Sequence, residues 1–219
     1  SSHSNYFSPG VQTNFEFTGE AEVWITFVSE GASYVNALGY YTYDTATGAP
    51  ANTDSLDHTI LFPNCSFVGS GGGMQSGMKI YLGTFSAGTT MGWFLVRDGW
   101  IGGGNVSEDS LRYYSNAEFN PSGNQHSVLL YDNVHEAFVM GFEDRPRAIA
   151  DNDFNDAVFL ANATPFVNVN RTNIPDIDTP PDTDDDGVSD PVDEFPEDDE
   201  TACLPRSLFE RKSLRRDAD

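Results

Sequence analysis

The sequence predicts an all-β protein, an antiparallel β-sandwich or jelly roll with a short acidic calcium-loop appendage. Three observations carry this. Roughly ten short runs alternate apolar and polar residues with period two. Gly, Asn and Pro punctuate them at turn spacing. No segment sustains the 3.6-residue period of an amphipathic helix, so helix content should be small. With 219 residues, 38% hydrophobic and 13% aromatic, the chain can fill one sizeable core and carry an appendage.

In order, residues 1–13 are polar and Ser-rich, an extended lead-in. The sandwich domain spans 14–171. Its strand-like runs are Glu20–Ser29, Ser33–Tyr43, His58–Phe62, Lys79–Phe85, Thr89–Arg97, Ser127–Tyr131, Ala137–Phe142, Asp156–Asn162 and Phe166–Val169. Lys79–Phe85 and Thr89–Arg97 read as a pair around Ser86-Ala87-Gly88. A Gly-rich stretch, Gly69–Gly73, lacks the Lys-Ser/Thr of a phosphate cradle and reads as a connector. A long loop opens at Asp98-Gly99-Trp100 and reaches about Ser122. Residues 172–181 form a Pro-rich linker, 182–203 an acidic calcium-binding repeat, and 204–219 a basic tail.

The chain is organised around Gly141–Leu160. Two apolar runs flank a loop with five carboxylates and two amides. Glu143 and Asp144 close the first run, Asp151, Asp153 and Asn155 recur at alternate positions, and Asp156 opens the second. Like charges this dense repel by roughly a kcal/mol per close pair even in water. A hard cation removes that cost, and Ca2+ takes six to eight oxygen ligands. Asp156 stands where an EF-hand loop would have Gly, so this is not an EF-hand. Phe142, Phe154 and Phe159 should pin the loop to a core. The plainer alternative is a solvated acidic loop with Asx-turns.

A second candidate lies at Asp182–Asp193. Asp182, Asp184, Asp186, Asp190 and Asp193 occupy positions 1, 3, 5, 9 and 12 of a calcium loop, with Gly187 at the turn and Val188 offering its carbonyl. An acidic tail without fixed structure is the alternative.

The net charge of −23 disfavours nucleic acid and anionic lipid as partners. No apolar run reaches membrane-spanning length, so no membrane insertion is expected. The chain lacks an initiating Met and a signal-like segment, as a mature or excised form would. Cys65 and Cys203 define no disulfide framework, although one bridge between them is an open possibility in an oxidising compartment.

Several segments carry a family likeness. Leu61-Phe62-Pro63, Gly92–Val96 with Asp98-Gly99-Trp100, Gln125–Asp132, and Gly141-Phe142-Glu143-Asp144 through Asp151–Phe159 occur in that order. Over about residues 20–165 this resembles a bacterial domain of unassigned function found in large secreted RTX-type adhesins and other surface proteins, and the acidic core resembles LruC-type surface lipoproteins. Asp182–Asp193 is similar to a thrombospondin type 3 calcium repeat. The resemblance implies an extracellular sandwich that binds Ca2+, with a surface glycan as its target.

The leading functional expectation is therefore a lectin-like, calcium-dependent binding module, with Trp100, Tyr113 and Tyr114 as candidate stacking residues. Trp24 and Trp93 are expected in the core. The alternative is a structural subunit of a calcium-stabilised fibre or matrix, whose partner is a neighbouring subunit. Catalysis is not expected. No Gly-x-Ser-x-Gly, His-Glu-x-x-His or Cys-x-x-Cys occurs, and acids clustered around a metal suit glycosidase chemistry poorly. His126, before a strand, reads as a strand-end hydrogen-bonding residue.

Overall fold

A computed structural model of the chain describes residues 10–177. The chain divides into two units, Ser1–Asp176 and Ile177–Asp219, and the strands of the described residues belong to the first. Among the described residues there is no α-helix, only strands and short 3-10 turns.

Two five-stranded sheets make an antiparallel sandwich. The first contains β1 (Phe15–Glu16), β3 (Ala37–Asp44), β4 (Thr59–Phe62), β6 (Thr89–Val96) and β9 (Arg112–Tyr114), in the order β1-β6-β3-β4 with β9 also on β6. The second contains β2 (Ala21–Ser29), β5 (Lys79–Phe85), β10 (Ser127–Asp132), β11 (Ala137–Phe142) and β12 (Ala157–Thr164), in the order β10-β11-β12-β2-β5. A separate ribbon pairs β7 (Trp100–Gly102) with β8 (Asn105–Val106).

Period-two patterning explains which face each strand buries. On β2, Ala21, Val23, Ile25 and Phe27 point inward, and on β12 Ala157, Phe159, Ala161 and Ala163 do so. They meet Leu38, Phe62, Met91, Trp93 and Leu95 of the first sheet in one core. Phe159 packs between rings from both sheets, 5.8 Å from Phe27 and 5.7 Å from Phe62. Such contacts add about 0.5–1.5 kcal/mol per pair beyond area burial. A smaller core covers the outer face of the first sheet, where Tyr41, Phe94 and Tyr114 pack with Leu56.

Four expectations need correction. Lys79–Phe85 and Thr89–Arg97 are not a hairpin: β5 pairs with β2 and β6 with β3, so the Ser86–Gly88 turn carries the chain from one sheet to the other. Local patterning cannot see this, because a strand reads the same whichever sheet takes it. Phe166–Val169 begins with a 3-10 turn, Phe166–Asn168, rather than a strand. The loop from Asp98 to Ser122 contains β9, a three-residue edge strand too short to show a period. Trp24 alternates with the inward residues of β2 and so lies half-buried on the outer face, its ring 4.7 Å from that of Tyr81.

At the body's margins, the Gln12 N–H donates to Asn173 O, the Tyr131 N–H donates to Pro175 O, and Ile174 is buried. Cys65 is fully buried and its thiol is pushed up by burial, while Cys203 lies outside the described residues. No helix of the described residues is long and apolar enough to cross a membrane.

Candidate metal centre

The registers bring six strand termini to one end of the sandwich. Phe142 of β11 lies opposite both Ser127 of β10 and Ala157 of β12; Ser29 of β2 lies opposite Val158. In the other sheet Ala37, the first residue of β3, faces Val96, the last of β6. The acidic loop 143–156 crosses this end.

Its path is set by close backbone contacts. Phe154, buried as expected with Phe142 and Phe159, has φ of 57°, and Asn152 has φ of 63°. A bulky residue in the left-handed region costs on the order of 1–3 kcal/mol, so packing must hold Phe154 there. Gly141 makes the approach possible, since a Cβ at that position would lie 2.4 Å from Phe154 O. The Arg147 guanidinium lies over the Phe154 ring, 4.7 Å from its centroid. Just past the end of β2, the Gly31 N–H donates to Asn155 O at 3.0 Å.

This path buries two carboxylates. Glu143 is 0% exposed and Asp144 1%, with Asp156 half-buried beside them. One oxygen from each of the three lies within 4.8 Å of the others. Glu143, Asp151 and Asp153 form a second such group, so Glu143 is common to both. Asp153 and Asn155 are also tied to each other as an Asx-turn, with the Asn155 N–H and Nδ2 donating to the Asp153 carboxylate. Asp182, Asp184, Asp186, Val188, Asp190 and Asp193 lie outside the described residues.

The donors around the cluster are few. Asn36 Nδ2 donates to Asp144 Oδ2 at 2.7 Å, and the Asp144 N–H donates to Asp156 Oδ2 at 2.8 Å. Glu143 accepts longer bonds from the N–H groups of Arg145 and Asn152. Burial, then Asp156, pushes the Glu143 carboxyl up to about 7. Burial also drives Asp144 up to about 6, partly opposed by the Asn36 hydrogen bond and reinforced by Asp156. Ionised carboxylates are acceptors only, so three together in a low-dielectric site require a proton or a cation between them. The oxygen-rich donor set suits a hard ion such as Ca2+.

One neighbour was not legible in the sequence. Asn36, buried 108 positions from its partner Asp144, also accepts the Asp98 N–H through Oδ1, tying the end of β11 to both β3 and β6. A single Asn before a strand gives no signal of such a role. His126 acts at a strand end as expected: its carbonyl accepts the Glu143 N–H, its Nδ1 lies 3.0 Å from Glu143 O, and its ring stacks 3.8 Å from Tyr113.

The candidate stacking residues separate. Trp100 is half-buried and its N–H donates to Val35 O, which places its loop at the same end as the acidic cluster. Tyr113 and Tyr114 are 1% and 6% exposed, which corrects their assignment as exposed platforms. They lie on edge strand β9, where Tyr113 covers His126 and Tyr114 packs against Phe94 in the outer core.

Residues 85–164 match a family described as a domain of unknown function (DUF4114). The match takes in β6 to β12 and the whole acidic loop, and leaves β1 to β4 outside it. No curated protein and no solved structure matches the chain.

Proposed function

We propose that this chain is an extracellular, calcium-dependent binding module of a bacterial surface protein or adhesin, with a surface glycan as its target. The observation that carries the calcium reading is the burial of Glu143 and Asp144 against Asp156. Evolution of a fold tolerates buried acceptor-only groups poorly unless a partner neutralises them. Ca2+ bound by Glu143, Asp144 and Asp156, with Asp151 and Asp153 extending the site, would supply that partner. Through Asn36 it would also lock the two sheets together at that end. The extracellular setting follows from the resemblance to surface proteins and from the affinity range of extracellular calcium modules. The glycan is supported by that resemblance and by the Trp100 loop, whose backbone reaches the same end of the sandwich with Trp100 half-buried.

A calcium-stabilised fibre subunit is the second reading. It is favoured by β5, a seven-residue strand at the margin of its sheet, paired on one side to β2. An edge of that length can accept a strand from a neighbour.

Thermal unfolding with Ca2+ and then with chelator tests the metal. Free Ca2+ at ten to a hundred times the dissociation constant should stabilise the fold by about 1.4–2.7 kcal/mol, equivalent to a rise of roughly 3–10 °C in Tm. An unchanged Tm would remove the calcium reading. Trp100→Ala should abolish glycan retention at the calcium end without altering the calcium shift; retention that survives both this change and chelation removes Trp100 and the ion from glycan binding.

A further inference from the structure

The flank of the first sheet holds a second polar interior. β1 pairs with β6 at Thr90 and Met91, and β9 pairs with it from Phe94 to Val96, so the two meet the same edge in succession. Ser115 continues the seam: its N–H donates to Trp93 O, and the Trp93 N–H donates to Ser115 Oγ. Four buried side chains close it. Tyr41 Oη and Asn14 Nδ2 both donate to Asn116 Oδ1 at 2.7 Å, and Ser115 Oγ donates to Asn14 Oδ1 at 2.5 Å.

A cleft of about 290 Å³ opens over this seam. Tyr43 lines it, and its hydroxyl accepts from Asn14 Nδ2 and Asn116 Nδ2, which leaves its own proton to be donated outward. Glu16 and Glu118 line it as well. One oxygen of Glu16 accepts from Asn170 and one of Glu118 from Asn116, so each carboxylate retains a second oxygen. Among the described residues, no Lys or Arg lines the cleft.

We propose that this cleft is a saccharide site that works without calcium, in which Glu16 and Glu118 accept hydroxyl hydrogens of a neutral sugar and Tyr43 donates to one of its oxygens. The chemistry selects this class. An anion would meet two carboxylates and, among the described residues of the lining, no cation. A hard ion needs six or more oxygens, and these two acids belong to neither group of three that could hold one. An apolar ligand would leave the polar walls unpaired. Hydroxyl groups satisfy them through charge-assisted bonds, which are about twice as strong as neutral ones. The volume lies near the lower bound of small-molecule sites and suits a mono- or disaccharide. The buried Asn14–Asn116 network holds the walls rigid, so little ordering cost attends binding.

The site goes beyond the calcium-end reading and is tested apart from it. The full chain, in chelator, is titrated with millimolar glucose, galactose, mannose, cellobiose and N-acetylglucosamine while amide resonances are followed by NMR. The expected result is a shift of Glu118, Tyr43 and Asn116 resonances by at least one sugar. Tyr43→Phe and Glu118→Ala should each weaken that binding about tenfold or more with Tm and the calcium shift unchanged. Both changes leave the buried Tyr41 and Ser115 in place, so loss of binding would not reflect loss of fold. No response to any of the five sugars overturns the proposal. So does binding that both variants retain, or binding that needs Ca2+ and Trp100, which would assign the sugar to the metal end instead.

Discussion

The seam cluster of Asn14, Tyr41, Ser115 and Asn116 and the end cluster of Glu143, Asp144 and the half-buried Asp156 both take polar side chains out of water, yet they leave different remainders. Amides and hydroxyls carry donors and acceptors together, so the seam satisfies itself within the chain. Carboxylates only accept. At the end cluster Asn36 and three backbone N–H groups cover part of the demand, and the charge of Arg97 near Asp144 and of Arg147 near Glu143 only partly offsets the negative charge that remains. A self-satisfied cluster should be indifferent to metal and pH, whereas an acceptor-only cluster should respond to both.

The largest effect should come from breaking the seam. Asn116→Ala would remove the acceptor shared by the Tyr41 hydroxyl and Asn14 Nδ2, and should cost about 3 kcal/mol, with the same loss in Ca2+ and in chelator. Chemical denaturation in both conditions measures it. A loss confined to one condition would show that the clusters are coupled.

Breaking the acceptor-only character comes next. Asp144→Asn should remove most of the calcium stabilisation, about 1.4–2.7 kcal/mol. In chelator at neutral pH the same variant should melt no lower than the parent, because one of three mutually repelling charges is gone. A calcium shift of parental size in this variant would count against Asp144 as a ligand.

Acidity sharpens the contrast. Glu143 and Asp144 titrate at about 7 and about 6 in the fold against ordinary values of 4.5 and 3.8. The folded state therefore binds protons more tightly than the unfolded one, and stability in chelator should fall as pH rises from about 4 to about 7. Ca2+ should flatten this part of the profile by replacing the protons. A profile in chelator that rises over that range, measured by Tm, would show the two groups ionised without a partner.

The smallest effect is expected at Glu118→Ala. Glu118 is exposed and touches the seam through a single bond from Asn116, so the change should stay within about 0.5 kcal/mol.

Much of the fold could be read locally. Lys79–Phe85 and Ala137–Phe142 are β5 and β11 residue for residue, because β-branched and aromatic runs bounded by turn residues mark strands in their own sequence, β11 as a nearly continuous apolar run. β9 and the sheet assignment of β5 and β6 could not be read, since pairing partners lie far away and a three-residue edge strand has no period. The acidic loop was visible as a run of charge. Which of its acids converge was not, because that depends on Phe154 folding over Gly141 and on Asn36 arriving from the other sheet. The tyrosines failed for a related reason: Tyr113 and Tyr114 look available in a Gly-rich loop, and become core only once β9 docks on β6.

By itself, then, the sequence determined the all-β character, the strand faces and the concentration of carboxylates in one loop, since alternation, turn residues and charge are local properties. The tertiary structure alone decided that Glu143 and Asp144 lose their water while Asp151 and Asp153 keep theirs, that Asn36 joins both sheets to the cluster, and that Asn14 meets Asn116 across 102 positions to floor a cleft. Burial and long-range hydrogen bonding depend on where distant segments pack, and packing exists only when the two sheets close on each other.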